Sequence, residues 1–203
     1  MARSLPSDAT AERRRRILDA AEAVLRRHGP ARTTVVDVAK ALGQSHASLY
    51  RDFASKAELI DAMLRRWLEA VTAPLGAIAH DPGPIPAADR LRAWLLTLHR
   101  AKVRKVTADP EHFAAYHAIA QGAHAVVADH VGQLTGQIAT IVAAGVASGE
   151  FAPTDPARTS VALLAATARF HHPALLVAGP PPTEEDLSDV VDLLLAGLRA
   201  GGS

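Results

Sequence analysis

The stretch TTVVDVAKALGQSHASLYRDFASKAELIDAML, Thr33 to Leu64, decides how this chain is read. Asp37 follows Thr34 by three residues, so a hydroxyl and a carboxylate can satisfy the free amides of a new helix reciprocally. Val35, Val38, Ala39 and Leu42 line one face of that helix, and Gly43 supplies the left-handed residue that stops it. Ser45 can cap the next helix, His46 to about Asp52, and Ser55 with Glu58 forms another capping box that opens a long helix from Lys56 to about Ala79. Two short helices about a tight turn suit DNA, because a helix fits the major groove only if a partner holds it out from the protein body. Val38, Leu42, Leu49 and Phe53 can anchor the pair, while His46, Ala47, Tyr50 and Arg51 share the opposite face at spacing i, i+1, i+4, i+5. On pattern alone, an ordinary helical hairpin with a polar outer face stays open.

Upstream, Ile17, Ala21, Val24 and Leu25 recur at helical spacing, predicting a helix from about Thr10 to His28 that Gly29-Pro30 closes. Its outer face is expected to carry Arg13 to Arg16, then Arg26 and Arg27. The net charge of +1 hides an asymmetry: through Lys56 there are eleven Lys and Arg against six Asp and Glu, and beyond it eleven against fifteen. A basic first quarter on an acidic remainder suggests that one part meets a polyanion. Downstream, His80 to Pro86 carries three prolines and a glycine and reads as a loop. Helices are then expected at about 87–106, 110–124, 125–148, 156–177 and 183–200. Asp109-Pro110 and Asp155-Pro156 pair a capping carboxylate with proline at the first helical position, and Thr183 with Asp186 caps the last helix. No alternating run, hairpin dipeptide or internal repeat is visible. Aromatic residues make up only 4% of the chain, which favours helices over sheets. The absence of cysteine excludes disulfides, thiolate metal sites and Cys nucleophiles. No apolar run reaches the ~18 residues of a membrane span, and MARSLPSDATAERRRR lacks the apolar centre of a signal peptide. A cytoplasmic protein without a membrane partner is expected.

The order of features from Ile17 to Leu64 resembles the N-terminal region of the TetR family of bacterial regulators: a Thr-Thr start, a helix ending Ala-Leu-Gly, a Ser-initiated recognition helix with Leu49-Tyr50, an aromatic at Phe53, and Ser55-Lys56 opening a connecting helix. The resemblance implies that Thr33, Thr34, Tyr50 and Lys56 grip backbone phosphate, and that Ser45, His46, Ala47, Ser48 and Arg51 supply or shape base contacts. The chain departs from the common pattern at His46-Ala47 and Arg51-Asp52, which leaves the operator sequence open. The expected fold is all-α: an N-terminal three-helix helix-turn-helix domain, residues 1–56, joined by a long helix, about 56–79, to a ligand-binding and dimerisation domain, residues 57–203. The resemblance implies a homodimer through the last two helices on a near-palindromic double-stranded operator, with repression relieved by a small-molecule effector. Leu187, Val190, Val191, Leu194, Leu195 and Leu198 form a stripe wider than one neighbour needs, and Val161, Leu164, Ala165 and Ala168 form a second.

A helical bundle offers a mostly apolar cavity with a few polar groups. Trp94, Leu98, Phe113, His117, Phe170 and His171 are the candidates to line it, each with core or surface packing as the competing reading. Seven of the ten histidines follow residue 98: His99, His112, His117, His124, His130, His171 and His172. They are expected to help recognise the effector, as hydrogen-bonding groups or, less readily, as metal ligands; structural roles remain the alternative. No cofactor is expected. A metal-responsive or activating regulator of the same fold is the second reading. Neither HExxH, paired Glu-x-x-His helices nor a Gly-rich phosphate loop is present, which argues against an enzyme.

Overall fold

Helix α1 spans Asp8–Arg32, but Gly29, at φ 73 and ψ 171, interrupts it where Gly29-Pro30 predicts a stop, and Pro30 starts a last turn to Arg32. The computed structural model describes residues 8–81 and 83–200. The first seven residues of the sequence assessed for a signal peptide, together with Pro82 of the expected loop, therefore lie outside the described residues. After α1 come α2 (Val35–Ala41), α3 (His46–Leu49), α4 (Lys56–Ala79), α5 (Ala87–Ala108), α6 (Pro110–Gly122), α7 (His124–Ala147), α8 (Pro156–Ala166), a 3-10 turn (Ala168–Phe170), α9 (Pro173–Val177) and α10 (Glu184–Ala200). No strand occurs among the described residues, and no helix there is long and apolar enough to cross a membrane. The expected all-α fold is what the chain adopts.

The capping signals are realised as bonds. Thr34 Oγ1 accepts from the Asp37 amide at 3.1 Å, Ser55 Oγ accepts from the Glu58 amide at 3.1 Å, and Thr183 and Asp186 bond reciprocally. Asp155 Oδ1 accepts from the amides of Ala157 and Arg158 at the start of α8. Helix α5 is capped from far away instead: the Glu150 carboxylate accepts from the amides of Ala87 and Ala88 at 2.6 and 3.0 Å.

Two expectations about helices need correcting. The segment expected as one helix over 156–177 ends at Ala166, and Pro173, which has no amide to continue a ladder, opens α9 instead. Buried Thr167 Oγ1 donates to the Leu163 carbonyl at 2.9 Å where the chain leaves α8. His117 and His124, both inside the helix expected over about 110–124, lie on different helices, since α6 ends at Gly122 and His124 begins α7.

The chain divides into two compact units. One holds the residues up to Trp67 together with Glu111–Val126, and the other holds Leu68–Pro110 with the chain from Val127 onward. Helix α4 thus passes from the first to the second, while α6 belongs to the first although α5 and α7 belong to the second. In the first unit Ile17, Ala21, Leu25, Val38, Leu49, Phe53, Leu59, Met63 and Leu64 are buried. In the second, Val71 and Leu75 of α4 join Leu91, Trp94 and Leu98 of α5, Ile138 and Ile141 of α7, Leu163 of α8 and Leu187, Val191 and Leu195 of α10 in one apolar cluster.

Candidate DNA interface and regulatory core

The recognition helix is short because Ser45, which accepts from the Ser48 amide, starts it only one turn before the chain tightens at Tyr50. Bonds from the amides of Asp52 and Phe53 to the Leu49 carbonyl, each 2.9 Å, carry the turn onward. Leu49 and Phe53 are buried beneath it, and Ser45, His46, Ala47, Tyr50 and Arg51 are exposed above, as their spacing predicts. The His46 and Tyr50 rings meet edge to face at 6.2 Å on that outer surface. At the turn before it, Gly43 sits at φ 63, in the left-handed region. Lys56 is exposed at the first position of α4.

Arg13 and Arg14 of α1, expected on the outer face, turn inward. Arg13 Nε donates to Asp52 Oδ2 at 2.7 Å, and its Nη2 donates to Ser48 Oγ at 2.9 Å and to the Ser48 carbonyl at 3.2 Å. Arg14 donates to the Asp52 carbonyl, and its guanidinium lies 4.1 Å from the centre of the Phe53 ring. Two cations of α1 therefore clamp both ends of the recognition turn. The partners are 35 to 39 residues apart, and no local pattern announces such a bond. Ser48 is half-buried in this clamp, also receiving Arg51 Nη2 at 3.1 Å, so it supports the exposed face of α3 from below.

The two threonines separate. Thr33 is 1% exposed and its hydroxyl donates to the Gly29 carbonyl at 2.8 Å, which makes it the fastener of the α1–α2 corner. Thr34 is half-buried at the N-cap of α2, with its hydroxyl donating to Asp37 Oδ2 at 2.5 Å.

A second charged junction lies in the same unit. Arg66 of α4 donates to Asp19 Oδ1 at 2.6 Å and to Glu22 Oε2 at 2.7 Å, and His112 Nε2 of α6 stands 3.3 Å from Glu22 Oε1. Trp67 stacks on Tyr116 at 4.8 Å with their planes 2° apart, and Phe113 lies 6.2 Å from Trp67. Burial and the neighbouring Glu22 carboxylate push the Tyr116 phenol well above its ordinary pKa. Glu22 thus joins α1, α4 and α6.

The six residues expected to line a ligand cavity fall in both units. Phe113 and His117 stack on each other at 5.8 Å in the first. Trp94, Leu98, Phe170 and His171 belong to the second, where Trp94 and Leu98 are fully buried. Trp94 Nε1 donates to Gln137 Oε1 at 3.0 Å, and Gln137 Nε2 donates to the Thr72 carbonyl at 3.1 Å, which ties α4, α5 and α7. His99 Nδ1 is 2.8 Å from the Phe170 carbonyl, and His171 Nε2 donates to the Leu164 carbonyl at 3.0 Å.

A buried pair that no motif marked lies among them. Lys102 of α5, 6% exposed, places Nζ 3.1 Å from Nε2 of His130 on α7, which is 7% exposed. Burial and the Lys105 charge lower the Lys102 pKa to about 8. Burial, then Lys102, His171 and Lys105, lower His130 to about 3; burial is also the main cause that lowers His171 to about 4. Among the described residues no group of three or more His, Asp or Glu side chains is placed to hold a metal ion.

The apolar stripe of the last helix also divides. Leu187, Val191 and Leu195 pack into their own unit, with Val190, Leu194 and Leu198 half-buried beside them. Leu193, outside the predicted stripe, is 76% exposed, and Val161 of α8 is 58% exposed with Ala165 one turn further on also open.

Comparison with known proteins closes the case. No protein of curated function matches the chain in sequence. Among solved structures, a transcriptional regulator from Pseudomonas aeruginosa PAO1 superposes with a TM-score of 0.71 at 20% identity, over 94% of this chain and 92% of that one. SmeT, the repressor of the Stenotrophomonas maltophilia multidrug efflux pump SmeDEF, gives 0.65 at 19% identity over 90% and 88%. FadR from Bacillus subtilis, in complex with stearoyl-CoA, gives 0.61 at 15% over 90% and 98%. At such identities the likeness is one of fold. Two sequence-family models go further: that of bacterial regulatory proteins of the tetR family matches residues 17–63, and that of the tetracyclin repressor-like C-terminal domain matches residues 87–191. With both its helix-turn-helix and its helical C-terminal region matched in order, the chain belongs to the TetR family of bacterial transcriptional regulators.

Proposed function

We propose that this regulator is a cytoplasmic, homodimeric repressor that holds a near-palindromic operator and lets go when a small molecule binds its second unit. The observation that carries the reading is the clamped recognition turn: Ser45, His46, Ala47, Tyr50 and Arg51 stand in solvent while Arg13 and Arg14 fix the backbone beneath them. A face that is polar, exposed and rigidly backed is what base edges require, because loosely held side chains lose the entropy advantage of a preformed fit. Thr34, Tyr50 and Lys56 meet phosphates, and Arg51, with the shape set by Ser45, His46, Ala47 and Ser48, reads bases.

Dimerisation uses α8 and α10. Val161, Ala165 and Leu193 form the exposed apolar ground on those helices, and a two-fold contact there would present two recognition turns to half-sites about one helical turn apart. Functionally, residues 1–56 grip DNA and residues 57–203 sense the effector and dimerise. Helix α4 is the lever, since its first half packs in the DNA unit and Val71 and Leu75 of its second half pack in the other. An effector moves it only by binding one arrangement more tightly than the other. SmeT, a repressor, and FadR, held with stearoyl-CoA, share the fold and support ligand-controlled repression.

The test is selection of bound fragments from genomic DNA by the purified dimer, followed by titration of Tyr50→Ala and Arg51→Ala on the enriched site and on random DNA. Tyr50→Ala is expected to weaken both alike, and Arg51→Ala to change the preferred bases. Equal affinity for selected and random DNA at physiological salt rejects the proposal.

A further inference from the structure

Lys102, His130 and their neighbours make a cluster with donors to spare. A protonated amine carries three N–H donors, and among the described residues the one hydrogen-bond partner of Lys102 Nζ is His130 Nε2. If that nitrogen accepts, the His130 proton sits on Nδ1, and Nδ1 is buried without any hydrogen-bond partner. His171 Nε2 already donates to the Leu164 carbonyl, so it offers the lysine no counter-ion. The side chains whose charges act on Lys102, His130 and His171 are Lys102 itself, Lys105, His99, His171 and His172, all of them basic. Elsewhere in the same unit the surface cations find acids: Arg92 meets Asp192, and Arg100 donates to Glu184. The interior lysine does not.

An ammonium taken out of water without an acceptor of opposite charge is costly, and a buried N–H left unpaired adds to the cost. Such an arrangement is stable in use when something supplies the missing acceptors. We propose that Lys102 binds the carboxylate of a small organic acid, whose oxygens accept from the two Nζ donors that His130 Nε2 does not take. This rests on the effector-controlled reading of the second unit and names the effector's chemical class.

The charge count selects a carboxylate over a phosphate. With both imidazoles neutral at pH 7, Lys102 is the buried positive charge of the cluster, Lys105 beside it being half-buried, and a buried monoanion balances it where a dianion would carry a second charge into the interior. The rest of the ligand is apolar. Leu98 lies one turn before Lys102 on α5, and Leu134 lies one turn after His130 on α7; both are buried in the same apolar cluster as Phe170. An acid with a hydrocarbon body meets both demands.

The experiment uses the full-length chain and thermal unfolding. Straight-chain carboxylates from acetate to palmitate, together with benzoate and phenylacetate, are compared with their primary amides and with inorganic phosphate. At least one carboxylate is expected to raise Tm saturably while its amide and phosphate do not. Lys102→Met is expected to reduce that response at least tenfold in concentration, whereas Arg104→Met on the exposed face of α5 leaves it intact. No response to any carboxylate, equal response to acid and amide, or an undiminished response in Lys102→Met overturns the assignment. Release of the selected operator fragment is scored in parallel with a library of neutral and cationic compounds. Release by a neutral compound alone defeats the carboxylate assignment and leaves the repressor reading standing. If no compound of any charge releases DNA while the carboxylate still binds at Lys102, the repressor reading fails and this one survives.

Discussion

The two units differ in how they partner charge. In the DNA unit, Arg13, Arg14 and Arg66 each donate to acids or carbonyls, and the long side chains act as struts between helices far apart in sequence. In the second unit Arg92 and Arg100 pair with Asp192 and Glu184 in the same way, but the interior cation, Lys102, has an imidazole for a partner instead of a carboxylate. Paired charge hardens a surface that must hold one shape against DNA. Charge without a counter-ion keeps the second unit below its best stability, a deficit that the proposed carboxylate would recover.

The largest expected effect tests whether the units are energetically separate. Leu49→Ala in the first and Leu98→Ala in the second each empty a fully buried site, at a cost of about 2–5 kcal/mol. The chain has two tryptophans, Trp67 in the DNA unit and Trp94 in the other, so fluorescence of Trp94→Phe and Trp67→Phe backgrounds reads each unit alone. Leu49→Ala is expected to lower the Trp67 transition in urea more than the Trp94 transition, and Leu98→Ala the reverse. Equal shifts at both probes would join the units into one cooperative block.

The next effect has the opposite sign. Lys102→Met removes the buried ammonium and is expected to stabilise the free protein at pH 7 by about 1–4 kcal/mol. The wild type should also show a pH dependence that this variant lacks. Its folded pKa, about 8, lies below the ordinary lysine value of 10.5, so between those pH values the unfolded chain binds a proton the folded chain does not. Stability therefore rises from pH 8 to 10.5, by about 3 kcal/mol in total, and is flat outside that window as far as this group is concerned. Urea denaturation across pH 7–11 in both proteins isolates the difference, with Lys105, His130 and His171 common to the two. A parallel pH profile in Lys102→Met would show that the lysine is solvated and the contrast between the units false.

The smallest effect falls on the charged junction. Glu22→Gln should cost about 1 kcal/mol, because its partners Arg66 and His112 are only partly screened and Arg66 keeps Asp19. Its signature is in the Trp67 transition, with the Trp94 transition unmoved. A loss of several kcal/mol would make Glu22 the keystone of the unit.

What the sequence made legible was local. Thr34 with Asp37, Ser45, Ser55 with Glu58 and Thr183 with Asp186 lie within one turn of their partners, and the helices start where those residues stand. The reading face was legible for the same reason, since a helical period placed His46, Ala47, Tyr50 and Arg51 together. Long-range partners were not. Arg13 lies in a run of four arginines that reads as a solvated face, yet only the tertiary fold brings Asp52 to it. Lys102 stands among Arg100, Arg104 and Lys105, so its burial is invisible in composition. Histidine number is equally silent on packing: His117, an expected cavity residue, stacks on Phe113 in the first unit, while His130, singled out by no motif, carries the buried contact with Lys102 in the second.

Helix α6 has a consequence for modularity. The DNA unit is discontinuous: the chain leaves it at Trp67 and re-enters it over Glu111–Val126, bringing Tyr116 onto Trp67 and His112 onto Glu22. A head cut after Trp67 would therefore expose an indole face and take His112 away from Glu22. Exchanging reading heads between related regulators must carry two pieces of chain, and a crossover placed at the recognition motif alone would graft specificity onto a scaffold missing one of its walls.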